Sequence, residues 1–361
     1  MNRLLVINPG STSTKVAVYE DERPLFIETL RHSSREISAF PHILDQYSFR
    51  LESILALMQA KQVPLDSLSA IVARGGLLRP IPSGTYAVNE RMVTELQSRD
   101  KEREHASSLG ALLAFRVATQ IGVPAYIVDP VSVDEFHELA RVSGLPEIER
   151  KSLSHALNLK AVARRAASEL GKSYLELNLV VVHLGGGISV TAHQRGQMVD
   201  VNQALDGTGP FAPERAGGLP VGDVVRICFG VPPYQGLNVT YEQMFRKLAG
   251  RGGLVAHLGT NSALEVERRI AAGDDHARLI YEAMAYQIAK EIGAMATVLK
   301  GKVDAIVITG GVAHSRMLLG WIEERVAWIA KVLVYPGEDE MLALVLGALR
   351  VLRGEEEARL Y

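Results

Sequence analysis

"LLVINPGSTSTKVAVYED" occupies residues 4–21. It reads as an apolar run from Leu4 to Ile7, a turn crowded with Pro9, Gly10 and hydroxyl side chains, and a second apolar run from Val16 to Tyr19. Short runs rich in Val, Ile and Leu around a Pro-Gly turn predict a β-hairpin. "RPLFIETL" at 23–30 supplies a third strand. The same grammar returns at 175–202, where "LELNLVVVHLGGGISVTAHQRGQMVDVN" reads as strand, Gly-rich turn, strand, polar turn and strand. Each of these units is followed, in the same order, by a buried-type strand that ends in a glycine pair: "LSAIVARGGLL" at 68–78 and "VDAIVITGGVAH" at 303–314. An internal echo of this kind predicts a duplicated fold in which each half presents a turn to a shared ligand.

The chain has 361 residues, 47% of them hydrophobic, and this length predicts two domains because single cores stop growing near 250–300 residues. Thirty-nine basic residues against 41 acidic ones give a formal net charge of −2, and no Lys/Arg run resembles a nucleic-acid or lipid-headgroup footprint. Small molecules are the expected partners, with neither nucleic acid nor membrane among them. The single cysteine, Cys228, excludes an intramolecular disulfide framework and a Cys-cluster metal site. Apolar stretches such as Met341 to Leu349 fall short of the roughly 20 residues that span a bilayer. With no signal-peptide core before Asn8, the expectation is a cytoplasmic protein. Glycine pairs and triplets at Gly75-Gly76, Gly185 to Gly187, Gly217-Gly218, Gly252-Gly253 and Gly310-Gly311 mark places where backbone must approach something closely, and a phosphate-bearing ligand is the candidate.

Helical periodicity fills the intervals. Residues 152–170 carry Ala and Leu at helical spacing and stop at Gly171. Residues 275–299 form a long amphipathic pattern, and "GEDEMLALVLGALRVLRG" opens a last helix with Glu338, Asp339 and Glu340, acidic residues suited to a helix N-terminus. Strands interleaved with helices make the class α/β.

"GSTSTK" at 10–15 fails as a P-loop, because Thr14 rather than Gly precedes Lys15 and a strand rather than a helix follows. A hairpin tip still offers an anion its backbone N–H groups, the Ser11 and Ser13 hydroxyls and the Lys15 ammonium. The second tip, "HLGGGIS" at 183–189, lets backbone reach a polyphosphate unobstructed by any Cβ. Further candidates are Arg74, Asp129, His155, Asp206 and Arg215, each at the end of a segment.

"VINPGSTSTK", "VVVHLGGGIS", "DGTGPFAPERAGGLPVGD" and "ITGGVAHS", in this order along the chain, resemble the acetate and butyrate kinases of the acetokinase family, within the sugar kinase, Hsp70 and actin superfamily. The resemblance is greatest to the butyrate kinases. The second hairpin has His-Leu-Gly-Gly-Gly where acetate kinases usually carry Asn in the fourth place, and "SLSHALN" stands where they carry Phe-His-Gly-Thr-Ser-His. The resemblance implies a two-domain duplicated ribonuclease H-like fold with an ATP cleft between its domains. Residues 1–152 plus about 340–361 would form the acyl-substrate domain, and 153–339 the nucleotide-binding domain.

It further implies reversible phosphorylation of a short-chain fatty acid, butyrate or branched isobutyrate, by ATP with Mg²⁺, giving acyl phosphate and ADP. The alternatives are an acetate or propionate kinase, or a non-enzymatic ATP-binding assembly protein related to actin and Hsp70. By the same resemblance Asn8, Ser11, Ser13 and Lys15 would lie near the phosphates, and His183 with Gly185, Gly186 and Gly187 would hold the β and γ positions. His155 and Asp129 would face the transferring phosphoryl group and Glu340 the Mg²⁺, with Asn8 beside it. Gly310, Gly311 and Ser315 would line the adenosine, with Asp206 also on the nucleotide side. The arginines depart from the acetate kinase pattern: Arg74 adjoins Gly75 rather than preceding it by several residues, and Pro220 takes the second arginine's place, leaving Arg215 five positions upstream as its substitute. A homodimer or larger homo-oligomer is expected on the resemblance alone.

Overall fold

The computed structural model describes residues 1–97, 106–205, 207–237 and 239–361. It divides into two compact units, one made of Met1–Val133 with Asp339–Tyr361 and the other of Asp134–Glu338.

The first unit is built on β1 (Arg3–Pro9), β2 (Ser13–Glu20), β3 (Arg23–Arg31), β4 (Ala70–Arg74), β5 (Thr85–Ala87), β6 (Ala125–Val128) and, from the far end of the chain, Arg359–Leu360. The second holds β7 (Asn178–Leu184), β8 (Ile188–Gln194), β9 (Gln197–Val201), β10 (Ala305–Gly310) and β11 (Val332–Pro336), so Arg359–Leu360 is β12. The sheet orders are β12-β5-β6-β4-β1-β2-β3 and β11-β10-β7-β8-β9. The segment β6-β4-β1-β2-β3 and the whole of the second sheet share one plan. In each, a hairpin strand pairs antiparallel with the next (β1 with β2, β7 with β8), which pairs antiparallel with a third, while its other edge takes two parallel strands in succession. The duplication expected from the sequence is thus present as topology.

Strands β1, β4, β7 and β10 are apolar at nearly every position because both faces are covered, which is why their sequences run continuously rather than alternate. In the first unit Leu5, Ile7, Ile71, Ala73 and Ile127 share a core with Leu109 and Leu113 of the helix Ser108–Ile121. The helix Glu340–Leu352 also packs on β1, β4 and β6, burying Leu344, Val345, Ala348 and Leu349. In the second unit the helix Asp275–Val298, within one residue of the expected span, covers Val180, Val182 and Val190, and the helix Arg316–Val326 packs against it. The helix Ala156–Glu169 lies on β7 and β10.

That helix begins at Ala156, later than the periodicity from 152 suggests. His155, its N-cap, has ψ of 53°, which is not helical, and its ring is held outside the helix by partners described below. No helix among the described residues is long and apolar enough to cross a membrane.

Candidate active site

The carboxyl ends of parallel strands in an open α/β sheet are where ligands bind, because the following loops can converge there. In the first unit those ends carry candidates from three separate stretches of sequence. Asn8 lies near the end of β1, Arg74 ends β4, and Asp129 follows Val128, the register partner of Arg74 on β6. The helix Glu340–Leu352 starts at the same place, with Asp339 as its N-cap accepting from the Leu342 N–H at 2.9 Å. Glu340 then ties the strands together. Arg74 Nη1 donates to its Oε1 at 2.5 Å, and Asn8 Nδ2 donates to its Oε2 at 2.7 Å. The acidic residue at the helix start is therefore a dipole partner and also the joint between two strand ends.

Asp129 is buried and has φ of 39°, the left-handed region that L-residues seldom adopt. Its Oδ1 accepts from the Gly84 N–H at 2.7 Å, which fixes the carboxylate at the strand end. Gly75 and Gly76 have a different reason from the one expected. A Cβ at Gly75 would lie 2.7 Å from Pro130 Cβ and 2.8 Å from Ile127 Cδ1, and one at Gly76 would overlap Ser108. The close approach is to the protein's own packing, and a ligand is not needed to explain this pair.

The β1–β2 tip is ordered by groups that the sequence did not flag. Ser11 and Lys15 are exposed and Ser13 is half-buried, while Gly10 N–H donates to the Ser13 carbonyl at 2.8 Å. Behind the tip sits Arg50, from the helix Tyr47–Ala60, with no exposed surface. Its Nη1 donates to the Ser13 carbonyl and to Thr14 Oγ1, each at 2.9 Å, and its Nη2 to the Ser11 carbonyl at 3.1 Å. Nη2 and Nε also reach Gln46 Oε1, at 2.8 and 3.1 Å. Thr14 Oγ1 lies 2.9 Å from His32 Nε2, and burial and then the Arg50 charge push this imidazole below its ordinary pKa.

In the second unit His183 is the penultimate residue of β7 and faces Ser189 across the β7–β8 ladder. Its Nδ1 lies 2.9 Å from Asn158 Oδ1, an acceptor, so Nδ1 carries a proton. Its Nε2 lies 3.3 Å from Glu338 Oε1. His155 stacks on it with ring centroids 3.9 Å apart and planes 16° from parallel, and holds Ser189 Oγ at 2.9 Å through Nδ1. Asn158 is three residues along the helix from His155, so one helix face delivers both the stacking ring and the orienting amide.

The glycine triplet meets these side chains. A Cβ at Gly185 would lie 2.7 Å from His183 Nε2, one at Gly186 would lie 3.3 Å from Glu214 Oε2, and one at Gly187 would overlap the Arg215 guanidinium. Arg215 donates through Nη1 to the Ala204 carbonyl. The loop thus brings His183, His155 and Arg215 to one turn, with Glu338 and Glu214 beside it.

Gly310 takes φ of 100° and abuts the Leu184 backbone, and Gly311 has open space around its Cβ position. Ser315 caps the helix Arg316–Val326 by accepting from Leu318 N–H at 3.0 Å, and its hydroxyl donates to Glu267. Asp206 lies outside the described residues.

Among the described residues no group of three His, Cys, Asp or Glu is placed to hold a metal ion. Mg²⁺ commonly takes one or two protein oxygens and completes its shell with phosphate and water. Glu340 fits that role as a partly exposed carboxylate, and Asn8, which gives its amide nitrogen to Glu340, keeps Oδ1 as a second oxygen.

Fold and site together define a two-domain α/β protein of the kind seen in acetate kinase structures. It superposes on acetate kinase from Porphyromonas gingivalis with a TM-score of 0.79, 18% identity and coverage of 98% of this chain and 100% of that one. A propionate kinase from Francisella tularensis subsp. tularensis SCHU S4 gives a TM-score of 0.75 at 19% identity, covering 96% of this chain and 99% of that one. Acetate kinase from Entamoeba histolytica gives 0.77 at 14%, covering 97% and 99%. Within the chain, residues 148–320 match the family model described as the acetokinase family.

Proposed function

We propose that the protein transfers the γ-phosphoryl group of ATP to the carboxylate of a short-chain fatty acid, butyrate or branched isobutyrate, and runs the reverse reaction from acyl phosphate and ADP. The observation that carries this reading is the acetokinase-family match over residues 148–320, a span that contains His155, Asn158, His183, the glycine turn and Arg215. The assignment to butyrate rests on "HLGGGIS" and "SLSHALN", whose departures from the acetate kinase pattern are those of butyrate kinases.

A carboxylate is ionised at neutral pH, so its oxygen attacks the γ-phosphorus without a general base while the bond to the β–γ bridging oxygen breaks and ADP leaves. What remains for the protein is alignment and neutralisation of charge on the transferring group. In the second unit Asn158 holds the His183 ring through Nδ1 and turns its Nε2 edge towards the glycine turn, where an imidazolium would donate to a phosphate oxygen. Arg215 adds a cation at Gly187. Backbone N–H groups of Gly185 to Gly187 would supply further donors, and the tip from Ser11 to Lys15 in the first unit offers an anion the same kind of group. Arg74, whose guanidinium donates to Glu340, would meet an anionic substrate group. Mg²⁺, when bound at Glu340 and Asn8, would offset the polyphosphate charge.

Incubation with Mg-ATP and each straight or branched C2 to C5 acid, with hydroxylamine trapping of the acyl phosphate, tests the reading. The expected result is trapped product with kcat/KM highest for C4 acids, since each methylene changes discrimination by about 1–3 kcal/mol. A maximum at acetate or propionate would move the substrate to the acids named for the two bacterial structures above. No trapped product from any acid would overturn the function.

A further inference from the structure

Arg50 is a guanidinium with no exposed surface and, among the described residues, no carboxylate in contact with it. Its five N–H donors meet only neutral acceptors: the Ser11 and Ser13 carbonyls, Thr14 Oγ1 and Gln46 Oε1 twice. Buried arginines normally sit against a carboxylate, because hydrogen bonds alone offset only part of the loss of hydration. Here the residue best placed to supply that countercharge is Gln46, one turn earlier on the chain and itself buried. The nearby imidazole of His32 can be only neutral or positive, so it supplies no countercharge either. A positive charge is therefore held, unneutralised, directly behind the turn whose outer side carries the Ser11, Ser13 and Lys15 donors.

We propose that Arg50 is a positioning residue for the phosphoryl-binding tip: its fork fixes the Ser11 to Thr14 backbone, and its unpaired charge attracts an anion to the outer side of that turn. This deepens the phosphotransferase reading above and rests on it. A guanidinium acting only as a brace would be improved by a glutamate at position 46, which keeps the acceptor oxygen and adds an ion pair. A guanidinium that serves an anionic ligand would be compromised by the same change.

Gln46→Glu is therefore the decisive variant. Inorganic phosphate is titrated into ¹⁵N-labelled protein, the backbone amides of Ser11 to Lys15 are followed, and acyl phosphate production is measured in parallel. The expected result is a Tm equal to or above that of the wild type, with phosphate affinity at these amides and turnover both reduced about tenfold, the scale of one elementary charge acting over about 10 Å in a partly screened site. Unchanged affinity and turnover would overturn the proposal, as would wild-type amides that do not respond to phosphate. Wild-type protein without acyl kinase turnover, but with amide shifts that weaken in Gln46→Glu, would overturn the function and leave the role of Arg50 standing. Should Gln46→Glu fail to fold, Arg50→Lys and Arg50→Met make the same comparison. Affinity better preserved in the lysine variant supports a charge effect, and equal losses in the two variants overturn it.

Discussion

Replacing Glu340 with glutamine keeps the side chain's shape and removes one negative charge from the joint that binds Asn8, Arg74 and the start of the helix Glu340–Leu352. The loss can be worked from the contacts. Glutamine has one acceptor oxygen, so the Arg74 bond at 2.5 Å keeps only the guanidinium charge, and the Asn8 bond at 2.7 Å, now facing an amide NH2, survives only as a neutral bond with Asn8 turned to present its own oxygen; both charge-assisted bonds to a carboxylate are lost. Such bonds contribute about 1.5–3 kcal/mol against about 0.5–1.5 for neutral ones. A carboxylate in the first helical turn adds about 0.3–1 kcal/mol. Arg74 and Glu340 are each 21% exposed, so solvent screening pulls the charged terms to the low end of their ranges. The sum is about 2 kcal/mol.

Hydrogen exchange reads this locally, at the buried residues Ala343, Leu344, Val345, Ala348 and Leu349. Where reclosing outpaces exchange, their amides should exchange roughly 30-fold faster, at about 1.4 kcal/mol per factor of ten. A change below about threefold would mean that the helix is held by its apolar face alone and that Glu340 is a surface residue with a fortuitous pair of contacts.

Two further outcomes follow from the second unit, where both tryptophans, Trp321 and Trp328, report unfolding. Asn158→Ala should remove the acceptor from a buried imidazole N–H, lowering stability by about 1–3 kcal/mol, and should depress turnover beyond what the stability loss explains; a tryptophan-detected melting curve and a turnover rate both matching wild type would contradict the orienting role. His193 is fully buried and pushed well below its ordinary value of 6.5, first by desolvation and then by the Lys160 and Arg164 charges. Its folded pKa lies below its unfolded one, so its contribution to stability is present above pH 6.5 and is lost as pH falls below it. Unfolding free energies from urea titrations followed by tryptophan fluorescence should therefore fall between neutral pH and about pH 5 with a slope approaching 1.4 kcal/mol per unit, and His193→Gln should flatten that slope; parallel slopes would remove His193 as the cause.

Much of the fold was legible because its signal is local and occurs twice. Two hairpins, each followed by an apolar strand, are enough to imply a repeated sheet order. The candidate residues at 8, 74, 129 and 183 were visible because they sit at strand ends, where apolar runs stop. Their partners were not. Glu340 was reached only through the family resemblance, since it is 332 positions from Asn8 and 266 from Arg74 and nothing in its surroundings separates a joint from an ordinary helix cap. Asn158 and Glu338 became meaningful only when folding brought them to His183. Arg50 lies in "YSFRLESILALM", where a lone cation in a mixed helix looks like a solvated surface residue. Gly75 and Gly76 misled in the opposite direction, since a sequence shows that backbone must come close to something without showing what.

The return of Asp339–Tyr361 to the first unit sets an order of events during synthesis. The second unit is one uninterrupted stretch, Asp134–Glu338, and has every residue it needs before the last helix is made. The first unit, although translated earlier, waits for the end of the chain to cover β1, β4 and β6 and to add an edge strand beside β5. Domains usually mature in the order in which they emerge from the ribosome. The split make-up of the first unit predicts the reverse order here, and a nascent chain arrested short of residue 339 should carry a finished second unit behind an unfinished first one, with the apolar strand faces that bear Asn8 and Arg74 left open to chaperones.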